Sequence, residues 1–184
     1  RKNKKHIMRA SQSLYILQVI FWIIFIGLAI KTGTLIISYG VSIFVNPEGA
    51  NDLYLGLSLK SLMVQSPISY HLLVIGLITI FIIKTNLLYQ VVQLFQKLKL
   101  VEPFTNEVYH HLTKMTGITF LIGFLTYVVF AYAKFLNGKN YEVSEAWEHL
   151  EGRLEFIFMG MLLLVVSQIF KRGIEIQEDN ELTI

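Results

Sequence analysis

LYILQVIFWIIFIGLAI, residues 14–30, is the stretch that decides the fold. Its only polar side chains are Tyr15, Gln18 and Trp22. A helix of that length, at about 1.5 Å per residue, nearly crosses a hydrocarbon core of about 30 Å. Working outward, three more apolar blocks follow, at Tyr70–Phe95, Met115–Lys134 and Leu154–Lys171. The three prolines, Pro47, Pro67 and Pro103, all fall between blocks, as uninterrupted helices require. With 54% of 184 residues apolar and 16% charged, a soluble domain has too little polar surface to cover so much apolar chain. The expected fold class is an all-α integral membrane protein with four transmembrane helices, built as a single domain over residues 1–184. The rival for the first block is a cleavable signal peptide, since basic residues precede it. Its apolar region is too long, and Gly27-Leu28-Ala29-Ile30-Lys31 is a poor cleavage site.

Lys and Arg set the expected orientation. Arg1, Lys2, Lys4, Lys5, Arg9, Lys84, Lys97, Lys99, Lys114, Lys171 and Arg172 gather on one side, and Lys31, Lys60, Lys134, Lys139 and Arg153 on the other. The richer side is cytoplasmic by the positive-inside rule, so both termini and the inner connection 96–114 are expected on the cytoplasmic side of the membrane. Connections 31–69 and 135–153 are then outer loops.

These connections carry patterns of their own. Val41–Val45 and Leu53–Leu59 alternate with period two around Asn46-Pro47-Glu48-Gly49, so a small outer β-hairpin is expected between spans one and two. The competing reading of residues 35–66 is that the first helix runs on through Leu35 to Phe44, with Gly33 and Gly40 against it. Leu87, Leu88, Val91, Val92, Phe95 and Leu98 recur at helical spacing, which predicts an amphipathic continuation of span two. Thr105 is placed to cap the helix into span three, and Ser144 to cap an outer helix that runs into span four.

The chemistry is sparse. Without cysteine there is no disulfide, thiolate nucleophile or thiolate metal site. H-E-x-x-H, G-x-S-x-G, both phosphate-binding glycine motifs and G-x-x-x-G are absent. No catalytic residue and no cofactor are expected. The one metal constellation that can be assembled is an outer site of His71, Glu145 and His149, against which stands an ordinary exposed acidic helix. His110 and His111, adjacent on a helix, point about 100° apart and are expected to face water or headgroups. Gln18, Thr79, Thr119, Thr126 and Gln168 read as hydrogen-bonding groups between helices, and Lys84, Lys134, Arg153 and Glu155 as interfacial charges that snorkel. With no internal repeat and no central charge, a transporter is disfavoured.

The tail 173–184 places Glu175, Glu178, Asp179 and Glu181 beside Leu182 on the side where the rest of the chain is basic. Together with Leu88, Val92 and Phe95 it forms the expected partner-binding surface. A basic cytoplasmic protein is the partner such a tail fits, and no direct nucleic-acid binding is expected. The competing reading folds the tail back on Arg1–Arg9 or leaves it solvated.

Phe170-Lys171-Arg172-Gly173, running into the acidic stretch that closes on Leu182-Thr183-Ile184, resembles the ending of a family of small bacterial membrane proteins, domain of unknown function twenty-nine seventy-five. Glu102-Pro103-Phe104-Thr105 is similar to that family's Pro-Phe segment before span three, with Glu102 where a glycine is usual. The resemblance implies four spans and a frequent pairing with a small helix-turn-helix regulator of the Cro type. The expected function is therefore a non-enzymatic membrane partner of such a regulator. An accessory subunit of a larger membrane complex and a metal- or lipid-sensing protein are the alternatives.

Overall fold

The computed structural model describes residues 2–98 and 103–181, with side chains from 12–98 and 103–180. All regular structure among them is helical: α1 (Lys2–Phe44), a 3-10 turn (Pro47–Asn51), α2 (Lys60–Gln65), α3 (Pro67–Lys97), α4 (Asn106–Gly138), α5 (Glu145–Glu148) and α6 (Arg153–Glu181). Four of these, α1, α3, α4 and α6, are long and apolar enough to cross a membrane. Local chemistry sets their ends. Asn46 Oδ1 accepts from the Glu48 amide and Pro47 opens the turn that stops α1. Pro67 opens α3. Thr105 Oγ1 accepts from the Val108 amide, the cap expected at the start of α4.

The outer hairpin does not form, and the competing reading holds. Residues 41–44 belong to α1, with Val45 and Asn46 amides donating to the Val41 carbonyl at 3.0 and 2.9 Å. Nothing lies within 4 Å of a Cβ built at Gly33 or Gly40, so both sit in the helix without a packing demand. The second candidate strand pairs with itself: Leu53 N donates to Leu57 O across a tight turn at Leu55 and Gly56, whose φ values are 43° and 87°. The period-two pattern still has a use, since Leu53, Leu57 and Leu59 are buried while Leu55 is exposed. Nor does span four begin as one continuous outer helix. Ser144 makes no side-chain cap, and Gly152 at φ +84° separates α5 from α6.

Residues 45–66 and 139–152 form a packed layer at one end of the helices, here the loop end. Leu53, Leu57, Leu59, Leu62, Val143, Ala146 and Leu150 are buried there with Leu35, Tyr70, Leu73, Leu77 and Leu136. Glu145 Oε2 ties the two connections together by accepting from the Ser58 amide at 2.7 Å. Glu48 pairs with Lys60, which holds the Glu48 carboxyl below the ordinary carboxylate range.

The long helices pack in sequence order: α1 on α3, α3 on α4, α4 on α6. Among the described residues the backbones of α1 and α6 do not pack on each other. The α4–α6 seam is close. A Cβ at Gly123 would stand 2.7 Å from Ile157 Cγ1 and 3.3 Å from the Arg153 carbonyl oxygen, and one at Gly160 would stand 3.0 Å from the Phe120 ring. The expected hydrogen bonds between helices are mostly local instead. Thr79, Thr119 and Thr126 donate to carbonyls four residues back in their own helices. Thr32 and Thr85, with hydroxyls 2.9 Å apart, join α1 to α3.

Candidate functional site

At the end opposite the loops, α6 does not stop where its apolar block stops. It continues as helix through Lys171–Glu181, and at 29 residues it is roughly 44 Å long against a hydrocarbon core of about 30 Å. What holds this extension is aromatic. Phe104, just ahead of α4, packs edge-on against Phe170 with ring centroids 5.2 Å apart. A Cβ at Gly173 would meet Phe104 Cδ1 at 2.5 Å, so the absence of a side chain there lets the ring lie against the α6 backbone. The Pro-Phe segment and the Phe-basic-Gly ending, far apart in sequence, are thus one contact. Ile174 is buried beside it.

The extension carries the acidic groups outward. Glu178 and Asp179 are exposed, while half-exposed Glu175 accepts from Arg172 Nη1 at 2.8 Å across one turn. Beside them opens a groove of about 450 Å³ lined by Phe104, Ile169, Arg172, Gly173, Ile176 and Gln177. An apolar floor with an acidic flank suits a basic amphipathic segment of another protein. Glu181 is the last residue of α6, its side chain and Leu182 lie outside the described residues, and so do the side chains of Arg1–Arg9.

The other half of the expected partner surface is already occupied. Val92 is fully buried, Leu88 is half-buried, and Phe95 stacks on Phe21 of α1 with centroids 5.3 Å apart. The apolar stripe of α3 therefore serves as packing for α1 and α4 rather than as an open docking face. Its helical period was legible; what would cover it was not, because a stripe looks the same whether a neighbour comes from the same chain or another.

The candidate metal residues disperse. His71 Nδ1 bonds the Tyr39 hydroxyl at 3.0 Å, Glu145 is engaged by the Ser58 amide, and the His149 ring lies 6.3 Å from those of Tyr54 and Phe81. Among the described residues no group of three His or carboxylate side chains is arranged to hold a metal. His110 is exposed as expected. His111 is buried and its Nε2–H donates to the Gln90 carbonyl at 2.8 Å, a contact from α4 to α3 rather than to water or headgroups.

Lys31 and Lys84, which the charge count assigns to opposite sides of the membrane, meet instead at one ring. Lys84 Nζ lies 5.5 Å from the Phe81 ring centre and 5.0 Å from that of Phe156, while Lys31 Nζ lies 4.5 Å from Phe81 and 5.0 Å from Tyr54. Sequence spacing within one helix carries no sign of this pairing, because it joins α1 to α3. Arg153 is engaged as well: its guanidinium lies 3.6 Å from the centre of the Phe130 ring and donates to the Leu150 carbonyl.

Compared with known proteins, residues 61–184, which are 124 of the 184, match the family described as protein of unknown function DUF2975. The chain belongs to that family. No curated protein and no solved structure matches it.

Proposed function

We propose that this member of a family of unknown function is a non-enzymatic inner-membrane protein that holds a basic cytoplasmic protein on the acidic extension of α6. The observation that carries the reading is the unbroken helix through Glu181, fixed at Phe104 and Gly173, with Glu178 and Asp179 exposed beside an apolar groove. Such a surface draws a basic partner by long-range attraction and keeps it by apolar contact, so charge governs association and the groove governs residence. A small helix-turn-helix regulator, the partner that the resemblance implies, has the required basic face. Both termini are cytoplasmic in this reading, from the distribution of Lys and Arg.

Truncation before Glu175 leaves the Phe104–Phe170 and Gly173 contacts in place, so the shortened protein should insert and fold. Its association with a cytoplasmic protein that co-purifies in mild detergent should slow about tenfold at low salt, and the remaining binding should depend less on salt. Unchanged affinity over a salt series would remove the tail as the docking element. Co-purification of large membrane subunits alone would favour an accessory-subunit role.

Topology has its own check in a chain without native cysteine. Asn51→Cys and Asn140→Cys should react with an impermeant thiol reagent in intact cells, while Asn106→Cys and Asn180→Cys should react only after lysis. Labelling of Asn106→Cys from outside would reverse the orientation and place the acidic tail away from any cytoplasmic partner.

A further inference from the structure

Phe81 of α3 is approached by two ammonium groups from two helices, Lys31 from α1 and Lys84 one turn along α3. Tyr54 gives Lys31 a second ring, and Phe156 of α6 gives one to Lys84. Among the described residues neither ammonium has a carboxylate within 4 Å; the ion pairs are Lys60–Glu48, Lys97–Glu107 and Arg172–Glu175. Ring faces attract cations, but two like charges drawn to one ring also repel each other, and both stand among apolar side chains where that repulsion is poorly screened. A charge so placed ordinarily has a counter-ion.

The surroundings say where one would sit. Lys31, Leu35, Tyr54, Leu57, Phe81 and His149 line a hollow on the loop side, too small to hold a water. Phe81 and Lys84, three residues apart, share one face of α3. That face meets α1 through Lys31 and α6 through Phe156, and those two helices do not pack on each other. The side left without helix packing is therefore the one between α1 and α6.

We propose that Lys31 and Lys84 form an anion site between α1 and α6, and that the ligand is a phosphate group. A tetrahedral phosphate presents several charged oxygens and can receive both ammoniums at once, and lysine serves phosphate as a mobile point charge. The group is supplied either by the headgroup of an anionic lipid, whose acyl chain lies against the apolar blocks of α1 and α6, or by free phosphate.

The test is the thermal unfolding of the full chain in a zwitterionic detergent, titrated with dihexanoyl phosphatidic acid, dihexanoyl phosphatidylcholine and inorganic phosphate. Phosphatidic acid should raise the unfolding temperature by about 5–10 °C at a hundredfold excess over Kd, and phosphatidylcholine should not. A rise with phosphatidic acid alone assigns the site to lipid, and an equal rise with inorganic phosphate assigns it to the free anion. Lys31→Gln and Lys84→Gln should each weaken affinity about tenfold, which roughly halves the shift at the same concentration, and the double variant should lose it. The proposal is overturned if neither phosphate probe shifts the wild type, or if the variants shift as the wild type does. Should the double variant not fold, the single variants decide.

Discussion

Tyr70→Ala should lower the stability of the folded protein by about 3–5 kcal/mol, the range for removing a fully buried aromatic side chain. Tyr70 is inaccessible to solvent and stands where α1, α3 and the loop-end layer meet. Its hydroxyl lies 2.6 Å from Ser42 Oγ, and Ser42 donates its own proton to the Tyr39 carbonyl at 2.7 Å. Tyr70 must therefore be the donor in the pair. Its ring also packs against those of Tyr39 and His71, at 6.0 and 5.5 Å between centres. Alanine removes all of this and leaves a void that α1, held along this length by α3 and the 3-10 turn, fills only by moving. Tyr70→Phe separates the parts: it keeps the packing, removes one buried hydrogen bond, and should cost about 1–2 kcal/mol. Equilibrium unfolding in mixed micelles measures both. A cost below about 1 kcal/mol for Tyr70→Ala would mean that the loop-end layer is not packed on α3 as described.

Gly123→Leu is the second large effect, and it works through backbone. A Cβ at this position meets not only the Ile157 side chain at 2.7 Å but also the Arg153 carbonyl oxygen and the Ile157 amide nitrogen at 3.3 Å. Side chains yield by rotation, whereas two helix backbones yield only by separating. Leucine should therefore pry the start of α6 from α4 and cost at least about 1–3 kcal/mol. Gly117 on the same helix supplies the control, since it is exposed and nothing lies within 4 Å of a Cβ built there. Gly117→Leu should leave stability unchanged or raise it by up to about 1 kcal/mol through helix propensity. Equal losses at the two positions would mean that α4 and α6 do not meet closely at Gly123.

Why some of this could be read from the sequence and some could not follows from the range of the interactions. Helices over Leu14–Ile30 and its three companions, the Thr105 cap and the extension of span two through Phe95 all rest on composition and spacing within one segment. Those features are local, so the sequence displays them. The loop end was misread because a period-two pattern shows which residues turn inward but not what their backbone bonds to; Leu53 and Leu57 bond each other. The packing of Phe104 on Gly173, the burial of His111 and the meeting of Lys31 with Lys84 are relations between helices, invisible until the helices are placed. No G-x-x-x-G motif announces the seam at Gly123 and Gly160, because each glycine there accepts a large side chain from the other helix instead of another glycine.

The order in which the long helices pack has a kinetic consequence. Among the described residues the helix backbones pack only on their neighbours along the chain, with α6 reaching α3 through side chains such as Phe156 beside Lys84, so once two successive helices have been made, most contacts between them can form without waiting for a third. Associations of this local kind require little loop-closure entropy and tend to be fast. In a membrane, where independently inserted helices find one another by lateral diffusion, the chain can add one helix at a time to a growing edge, with α6 joining last. Destabilising the α4–α6 seam should then raise the rate at which the finished protein comes apart more than it slows the earlier pairings, because those are complete before α6 arrives.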